Sequence, residues 1–329
     1  QKFTFENQGN PIKAGCIALV YRGKLDDKDV IIKVARKNIY NKIDSSLKQL
    51  RYIINILRFF KRNISLDVDE FLDEHRDIFL NQADFSKELC NLQKTKHNFR
   101  NINNIVVPTP YPNFTEKCNS MIVMEYICGV PGKKVRELSE EDKEKYVEII
   151  IKYFLKGWLY DKFYHGDFHP GNIIFIKDDE CKIGLIDYGL MNTITDEENV
   201  GMSHFFEIIN KSDDYYKSIQ QFSDTIIVPK KIYNILKETQ KKKIQKQIAQ
   251  IIEDGFNRSY INADDLNKMN ITLHKYKLQI QPSICKLILS FTILDSVVCD
   301  VSNKENYITT LRKYSHSMFL TDLEDMIRM

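Results

Sequence analysis

HGDFHPGN, His165 to Asn172, followed downstream by the Asp-Tyr-Gly of Asp187 to Gly189, is the stretch that decides the fold of this chain. It places an Asp and an Asn five residues apart on a loop after a long helical pattern. Phosphoryl transfer needs a carboxylate near the attacking hydroxyl, together with oxygen ligands that hold magnesium across the phosphates, because octahedral magnesium prefers hard oxygen donors. Asp167 fits the first need, accepting the acceptor's proton or orienting its hydroxyl. Asn172 and Asp187 fit the second, and Gly189 is expected to let the backbone turn sharply behind Asp187. Read singly, HPGN is an ordinary Pro-Gly turn and IDYG a strand end. Both in order, separated by a hairpin, point to a kinase-type site.

Working outward, Cys16 to Tyr21 and Asp29 to Val34 are β-branched and apolar with LDDKD between them, which predicts a hairpin. Lys33 then lies on a strand between apolar neighbours, where desolvation disfavours its charge unless an anion meets it. That assigns it to nucleotide phosphates with a carboxylate partner. A lysine snorkelling from an edge strand is the plainer alternative. Residues 43–60 carry Ile43, Leu47, Leu50, Ile54 and Leu57 at helical spacing, and a second helical pattern runs through Phe71, Ile78 and Leu89. Glu88 neighbours Leu89 and Leu92 on the buried side of its helix, which makes it the candidate partner of Lys33, a surface glutamate being the alternative.

Met121 to Ile127 is strand-like and GVPG, Gly129 to Gly132, breaks the chain after it as a linker between lobes would. The backbone of Glu125, Tyr126 and Ile127 is placed against an adenine edge. Ser139 with Asp142 makes a capping box for a helix with Val147, Ile150, Ile151, Phe154, Leu155, Trp158 and Leu159 on its apolar positions. Asn172 to Ile176 and Cys181 to Ile186 form two strands around KDDE, and everything beyond looks helical. The fold class is therefore α+β and bilobal. A small sheet-bearing lobe, 1–128, holds the nucleotide loop, the Lys strand, a helical insertion and the Glu helix. A mostly helical lobe, 129–329, holds the catalytic loop and the metal-binding turn.

Composition narrows the partners. A net charge of +3 over dispersed basic residues is too mild for a nucleic-acid partner. Seven scattered cysteines without a C-x-x-C pair exclude half a zinc site and predict free thiols in a reducing, intracellular compartment, with a membrane-associated or organellar location left open. QKFTFENQGN at the start is polar, lacks Met and has neither a signal core nor a transit pattern, so the chain is expected to be a trimmed piece. Ile284 to Cys299 is interrupted by Lys286 and Asp295 and reads as a buried helix. The basic run Lys241 to Lys243 reads as a solvated helix face.

In order, PIKAGCIALVYRG (Pro11 to Gly23), VIIKVARKNI, ADFSKELCNLQ, MEYICGV, HGDFHPGN, IDYGL and the late PSICKLILSFTILDSVVCDV resemble the successive motifs of UbiB-like, aarF-domain atypical kinases. The resemblance implies a protein-kinase-like fold that binds ATP or ADP with magnesium, linked to ubiquinone or other isoprenoid-lipid metabolism and to peripheral membrane association. It implies a lipid or small-molecule acceptor ahead of a protein one. Under it Lys33 and Glu88 form an ion pair, Asp167 is catalytic, Asn172 and Asp187 hold the metal, and Ala14, Gly15, Cys16 and Val20 contact the nucleotide. Three departures stand out. The family's nucleotide loop is alanine-rich with a serine; Ala14, Gly15 and Cys16 here are expected to give backbone freedom at Gly15, a closer approach to phosphate and relaxed nucleotide selectivity. Gln82 stands where the family's E-x-D pattern has its acid, leaving Asp84 alone. The sequence begins just before Pro11, without the family's K-x-G-Q extension, which was either cut away or never existed; in the second case the acceptor site is expected to be more open. Two other readings compete: a small-molecule kinase of the aminoglycoside or choline phosphotransferase type, which shares the HGDFHPGN loop, and a nucleotide-binding pseudokinase scaffold.

Overall fold

The computed structural model describes residues 3–60, 83–209, 215–258 and 263–302. They fall into two compact units, Gln1–His97 with Val107–Ile127 and Asp187–Gly189, and Asn98–Val106 with Cys128–Ile186 and Leu190–Met329. The division differs from a single cut after residue 128 in three places, the smallest being Cys128, which falls in the second unit. Asn98–Val106 goes with the second unit because its strand pairs there, and Asp187–Gly189 goes with the first because its side chains and backbone are bonded there.

The first unit is built on an antiparallel sheet. Its strands are β1 (Phe3–Phe5), β2 (Lys13–Ala14), β3 (Ala18–Leu25) and β4 (Lys28–Ala35), followed by helices α1 (Ile39–Phe60) and α2 (Phe85–Asn98). The chain then crosses to β5 (Ile105–Val106) of the second unit and returns as α3 (Pro112–Lys117) and β6 (Met121–Glu125). Sheet order is β1-β3-β4-β6, with β2 also on β3. The β3–β4 turn is two residues, Asp26 and Asp27, both left-handed at φ 48° and 67°. That matches the mirror-type turn that fits strand twist, in a conformation which Asp tolerates better than bulkier residues. Residues directly opposite in such a ladder share a face. Tyr21, Ile32 and Val123 line up on one face with the core of Leu25 and Val30, against which Phe3, Tyr111 and Phe114 pack. Val20, Lys33 and Ile122 line up on the other.

Two features of this unit escaped the sequence reading. The polar-looking start contains β1, which pairs Phe3 with Leu25 and sets the Phe3 ring edge-on to Phe114 at 5.4 Å. Asp84 caps α2, its Oδ1 accepting the Ser86 N–H at 2.9 Å, so it has a structural task of its own. Gln82, Phe71 and Ile78 lie outside the described residues.

The second unit continues with β7 (Val130–Pro131), α4 (Glu140–Leu155), β8 (Phe163–His165), β9 (Ile173–Lys177), β10 (Cys181–Leu185) and β11 (Met191–Thr193). Helices α5 (Asp196–Ile209) and α6 (Tyr215–Ile226) follow, then β12 (Ile227–Val228), α7 (Lys230–Asn234), α8 (Glu238–Asn257), α9 (Ala263–His274), β13 (Gln279–Ile280) and α10 (Pro282–Ser302). One sheet runs β5-β10-β9-β7; β8 pairs β11 and β12 pairs β13. The region after residue 186 is thus not wholly helical as expected. Its added strands are two or three residues long, too short to leave a period-2 signal.

Ser139 is the N-cap of α4 and accepts the Asp142 N–H at 3.2 Å, while its hydroxyl donates to the Asp142 carboxylate at 2.7 Å. Ser139→Ala should therefore cost about 1 kcal/mol, read as a lowered denaturation midpoint. The helix leads through a π-helical turn, Lys156–Tyr160, whose Trp158 sits edge-on to Phe291 of α10 at 4.9 Å. Phe154 packs on the same ring at 5.1 Å. The segment of α10 is a buried helix, as its sequence suggested. Among the described residues no helix is long and apolar enough to cross a membrane, and no disulfide joins the seven cysteines.

Candidate active site

Lys33 is 7% exposed and Glu88 5%. Lys33 Nζ donates to Glu88 Oε1 at 2.5 Å and to Asp187 Oδ2 at 3.0 Å. Burial works against the ammonium charge, but the carboxylates of Asp187 and Glu88 outweigh it and hold Lys33 protonated well above the ordinary lysine range. Burial pushes the Glu88 carboxyl up, with the Lys33 charge pulling against it. Asp187 differs from both in being reachable, with 41% of its side chain exposed. The ion pair expected from sequence is thus formed, and the metal-ligand candidate Asp187 joins it.

Helix α2 fixes this arrangement from one face. Glu88 Oε1 also accepts the Tyr188 N–H at 3.3 Å, and Asn91, one turn on, donates from Nδ2 to the Tyr188 carbonyl at 2.9 Å. Asn91 was not singled out from sequence, although its spacing from Glu88 carried the signal. Gly189 stands at a bend, as expected, and has a second task. Its φ is not left-handed; instead its N–H donates to Asp187 Oδ1 at 3.0 Å, and an added Cβ would stand 3.3 Å from that oxygen. The backbone bends at this position, and it does so with small size beside the carboxylate and without a left-handed φ.

The HGDFHPGN loop lies in the second unit and alternates anchored and presented residues. His165, Phe168 and Asn172 are buried. Phe168 stacks on Tyr153 of α4 at 5.2 Å, His165 Nδ1 accepts the Asp167 N–H at 3.1 Å, and Asn172 Nδ2 donates to the Asp167 carbonyl at 3.0 Å. The last bond engages the amide nitrogen of Asn172 and leaves Oδ1 as the end suited to a cation. Asp167 itself is presented, its side chain 45% exposed and its Oδ2 3.7 Å from His169 Nε2. His169 Nδ1 accepts the Gly171 N–H at 2.9 Å, so Nε2 carries the ring proton and faces the carboxylate. His165, Phe168 and His169 were missed as positioning residues.

Gly132, read from sequence as a linker break, supports this loop by close approach. A Cβ there would fall 2.3 Å from the Pro170 carbonyl oxygen, which is backbone and has no rotamer to give. Gly132→Ala is expected to cost about 1–3 kcal/mol and to displace the loop, read as a lower melting temperature with turnover falling more than nucleotide affinity.

The nucleotide-contact candidates fare unevenly. Val20 lies directly across from Lys33 on its face of the sheet. Ala14 lies on β2 and Cys16 is exposed in the turn that joins β2 to β3. Gly15 does not have the freedom expected of it: its N–H donates to the Ala18 carbonyl at 2.9 Å, its carbonyl accepts from Arg36 Nε at 2.8 Å, and its φ is not left-handed. A closed turn pinned by Arg36 replaces a loose one. In the adenine-edge segment, the Glu125 N–H donates to the Thr109 carbonyl at 2.9 Å and the Tyr126 N–H to the Asp29 carbonyl at 3.1 Å. Both are removed as donors to a base, which leaves carbonyls and the chain from Ile127 onward. Glu125 Oε2 accepts from the Thr109 N–H and hydroxyl, and Arg22 lies over the Tyr126 ring at 3.9 Å.

Asn172 and Asp187 offer hard oxygen donors, the type magnesium takes. Among the described residues no group of three or more His, Cys, Asp and Glu would hold a metal alone.

Comparison with known proteins places this chain in a family. The model described as the ABC1 atypical kinase-like domain matches residues 2–223. An uncharacterized aarF domain-containing protein kinase from the chloroplast of Arabidopsis thaliana is 22% identical over 97% of the chain and 44% of its own length. A probable protein kinase UbiB from Tolumonas auensis is 24% identical over 84% and 51%. Another relative, the chloroplastic protein ACTIVITY OF BC1 COMPLEX KINASE 8 of Arabidopsis thaliana, is 26% identical over 62% and 27%. The chain thus spans about a quarter to a half of the length of these relatives. Among solved structures, the Rv3197–erythromycin complex from Mycobacterium tuberculosis superposes with a TM-score of 0.62 at 15% identity, over 91% of this chain and 74% of that one. The fold is the α+β, bilobal, protein-kinase-like one read from the sequence, and the chain belongs to the family of ABC1 atypical kinase-like domains, the UbiB type of atypical kinase.

Proposed function

We propose that the chain is an ATP-dependent phosphotransferase or ATPase that works with magnesium, on a lipid or small-molecule acceptor in preference to a protein. The observation that carries this reading is Lys33, buried and kept charged by Glu88, with the reachable carboxylate of Asp187 on its other side. One carboxylate suffices to neutralise a structural lysine. A second, half-exposed one on the same ammonium suits a place where phosphate oxygens and a cation enter. Lys33 then binds phosphate and Glu88 orients Lys33. Asn172 and Asp187 would hold magnesium, which when bound neutralises charge on the transferring phosphoryl group. Asp167 accepts the proton of the acceptor hydroxyl, or of water in hydrolysis, with its carboxylate placed by the loop that Phe168 and His165 anchor. The link to isoprenoid-quinone or other lipid metabolism, and peripheral attachment to a membrane, belong to the same proposal and rest on the family.

The test is a thermal-shift titration with ATP, ADP and GTP, with and without magnesium, beside an ATP-turnover assay. Magnesium-dependent stabilisation with turnover is the expected result. Stabilisation without turnover, unchanged in Asp167→Asn, would favour a nucleotide-binding scaffold, and no shift with any nucleotide would sink the reading.

A further inference from the structure

Beside the catalytic loop, wholly within the second unit, lies an open groove of about 720 Å³ lined by Gly132, Lys133, Arg136, His169 and, from the end of α10, Cys299 and Asp300. That volume is in the range of small-ligand sites, about 300–1,000 Å³. Its wall is cationic: Lys133 and Arg136 stand against the single carboxylate of Asp300, and among the described residues neither cation has an ion-pair partner. Its position matters as much as its charge. His169, which lines the groove, has Nε2 3.7 Å from Asp167 Oδ2, and the Lys133 stem reaches to 3.2 Å of the point where a Gly171 Cβ would stand. A ligand seated here is therefore one imidazole away from the carboxylate proposed to take up a hydroxyl proton.

We propose that this groove is the acceptor subsite and takes an acceptor carrying a phosphate or carboxylate group, which Lys133 and Arg136 anchor while its hydroxyl is presented to Asp167. Two cations on neighbouring turns suit an anion with several oxygens, and the guanidinium can grip two of them at once. The inference rests on the phosphotransfer reading. In the step, the acceptor oxygen forms a bond to the γ-phosphorus as the bond from that phosphorus to the bridging oxygen of ADP breaks. The hydroxyl proton passes to Asp167 and then to solvent, and ADP leaves with the electron pair. Asp300 faces the same space and excludes acceptors that carry negative charge along their whole length.

Cys299 reports on occupancy without reference to the nucleotide. Alkylation of Cys299 by iodoacetamide, followed by peptide mass spectrometry, is measured with glycerol 3-phosphate, with glycerol, and with vesicles of phosphatidylglycerol or phosphatidylcholine. Glycerol 3-phosphate at ten times its Kd should slow the reaction about tenfold, the factor that simple occupancy gives, and glycerol should not slow it. Protection should vanish in Lys133→Ala/Arg136→Ala while the Mg-ATP thermal shift of that variant persists, which also shows that it folds. Protection by phosphatidylglycerol vesicles alone would place the anion on a lipid headgroup; protection by the free compound, on a soluble acceptor. Equal protection by glycerol, or protection that survives the double substitution, overturns the proposal. Protection in a protein that shows no nucleotide shift overturns the groove's role as an acceptor subsite and, separately, the phosphotransfer reading.

Discussion

Lys33→Met is expected to destabilise the protein by about 3–5 kcal/mol and to abolish the Mg-ATP thermal shift, because it leaves the Glu88 carboxylate buried without its cation. The loss should depend on pH in a defined direction. Burial already pushes Glu88 upward, and with Lys33 gone only the Tyr188 N–H still pulls against it. An acid whose folded pKa lies above its unfolded one binds its proton more tightly when folded. Its contribution is favourable below the unfolded value and is lost as pH rises through the folded one. The gap between Lys33→Met and wild type should therefore narrow as pH falls from 8 towards about 5. In the wild type Lys33 itself contributes no slope there, since its raised pKa keeps it charged throughout and its stabilisation declines only in strong alkali. Urea melts of both proteins across that range are the measurement. A gap that stays constant would show that Glu88 is not the charge left behind. The double variant Lys33→Met/Glu88→Gln should recover part of the loss without recovering the nucleotide shift, because glutamine keeps the acceptor for the Tyr188 N–H and removes the stranded charge.

Asp167→Asn should act almost wholly on chemistry. Its side chain is 45% exposed and comes no closer to His169 Nε2 than 3.7 Å, while the loop's fixing bonds run from its backbone. Stability should stay within about 0.5 kcal/mol of wild type and the Mg-ATP shift should persist. Turnover should fall by about 10²–10⁴-fold, the usual contribution of a positioned proton acceptor. The contrast separates the two carboxylates: Glu88 substitution should weaken both stability and nucleotide binding, Asp167 substitution neither. Undiminished turnover in Asp167→Asn would move the proton to another group and remove the acceptor arrangement proposed beside it.

The parts of the fold legible in sequence were those with a local cause. The β3–β4 hairpin follows from two apolar runs around LDDKD, the capped start of α4 from Ser139 and Asp142, and the β9–β10 hairpin from apolar runs around KDDE. Strand β1 was not legible, because the alternation of Phe3, Thr4 and Phe5 is only three residues long, in a segment that is polar on average. Nor were β12 and β13, which pair with each other across the three helices α7, α8 and α9. Their stability comes from partners distant in sequence, which no local window contains.

For the site, the sequence by itself singled out the side chains proposed to carry chemistry. Lys33, Glu88, Asp167, Asn172 and Asp187 were identifiable because phosphoryl transfer admits few residue types and the motifs hold them in fixed order. Tertiary structure alone decided their partners: that Asp187 shares Lys33 with Glu88, that Asn91 ties Tyr188 to α2, that Gly15 and the Glu125 and Tyr126 amides are already engaged, and that Lys133 and Arg136 face a groove beside His169. The reason is physical. A residue's type is set by its own chemistry and written in one position, whereas its hydrogen-bond partner and its burial depend on segments that meet only when the chain folds.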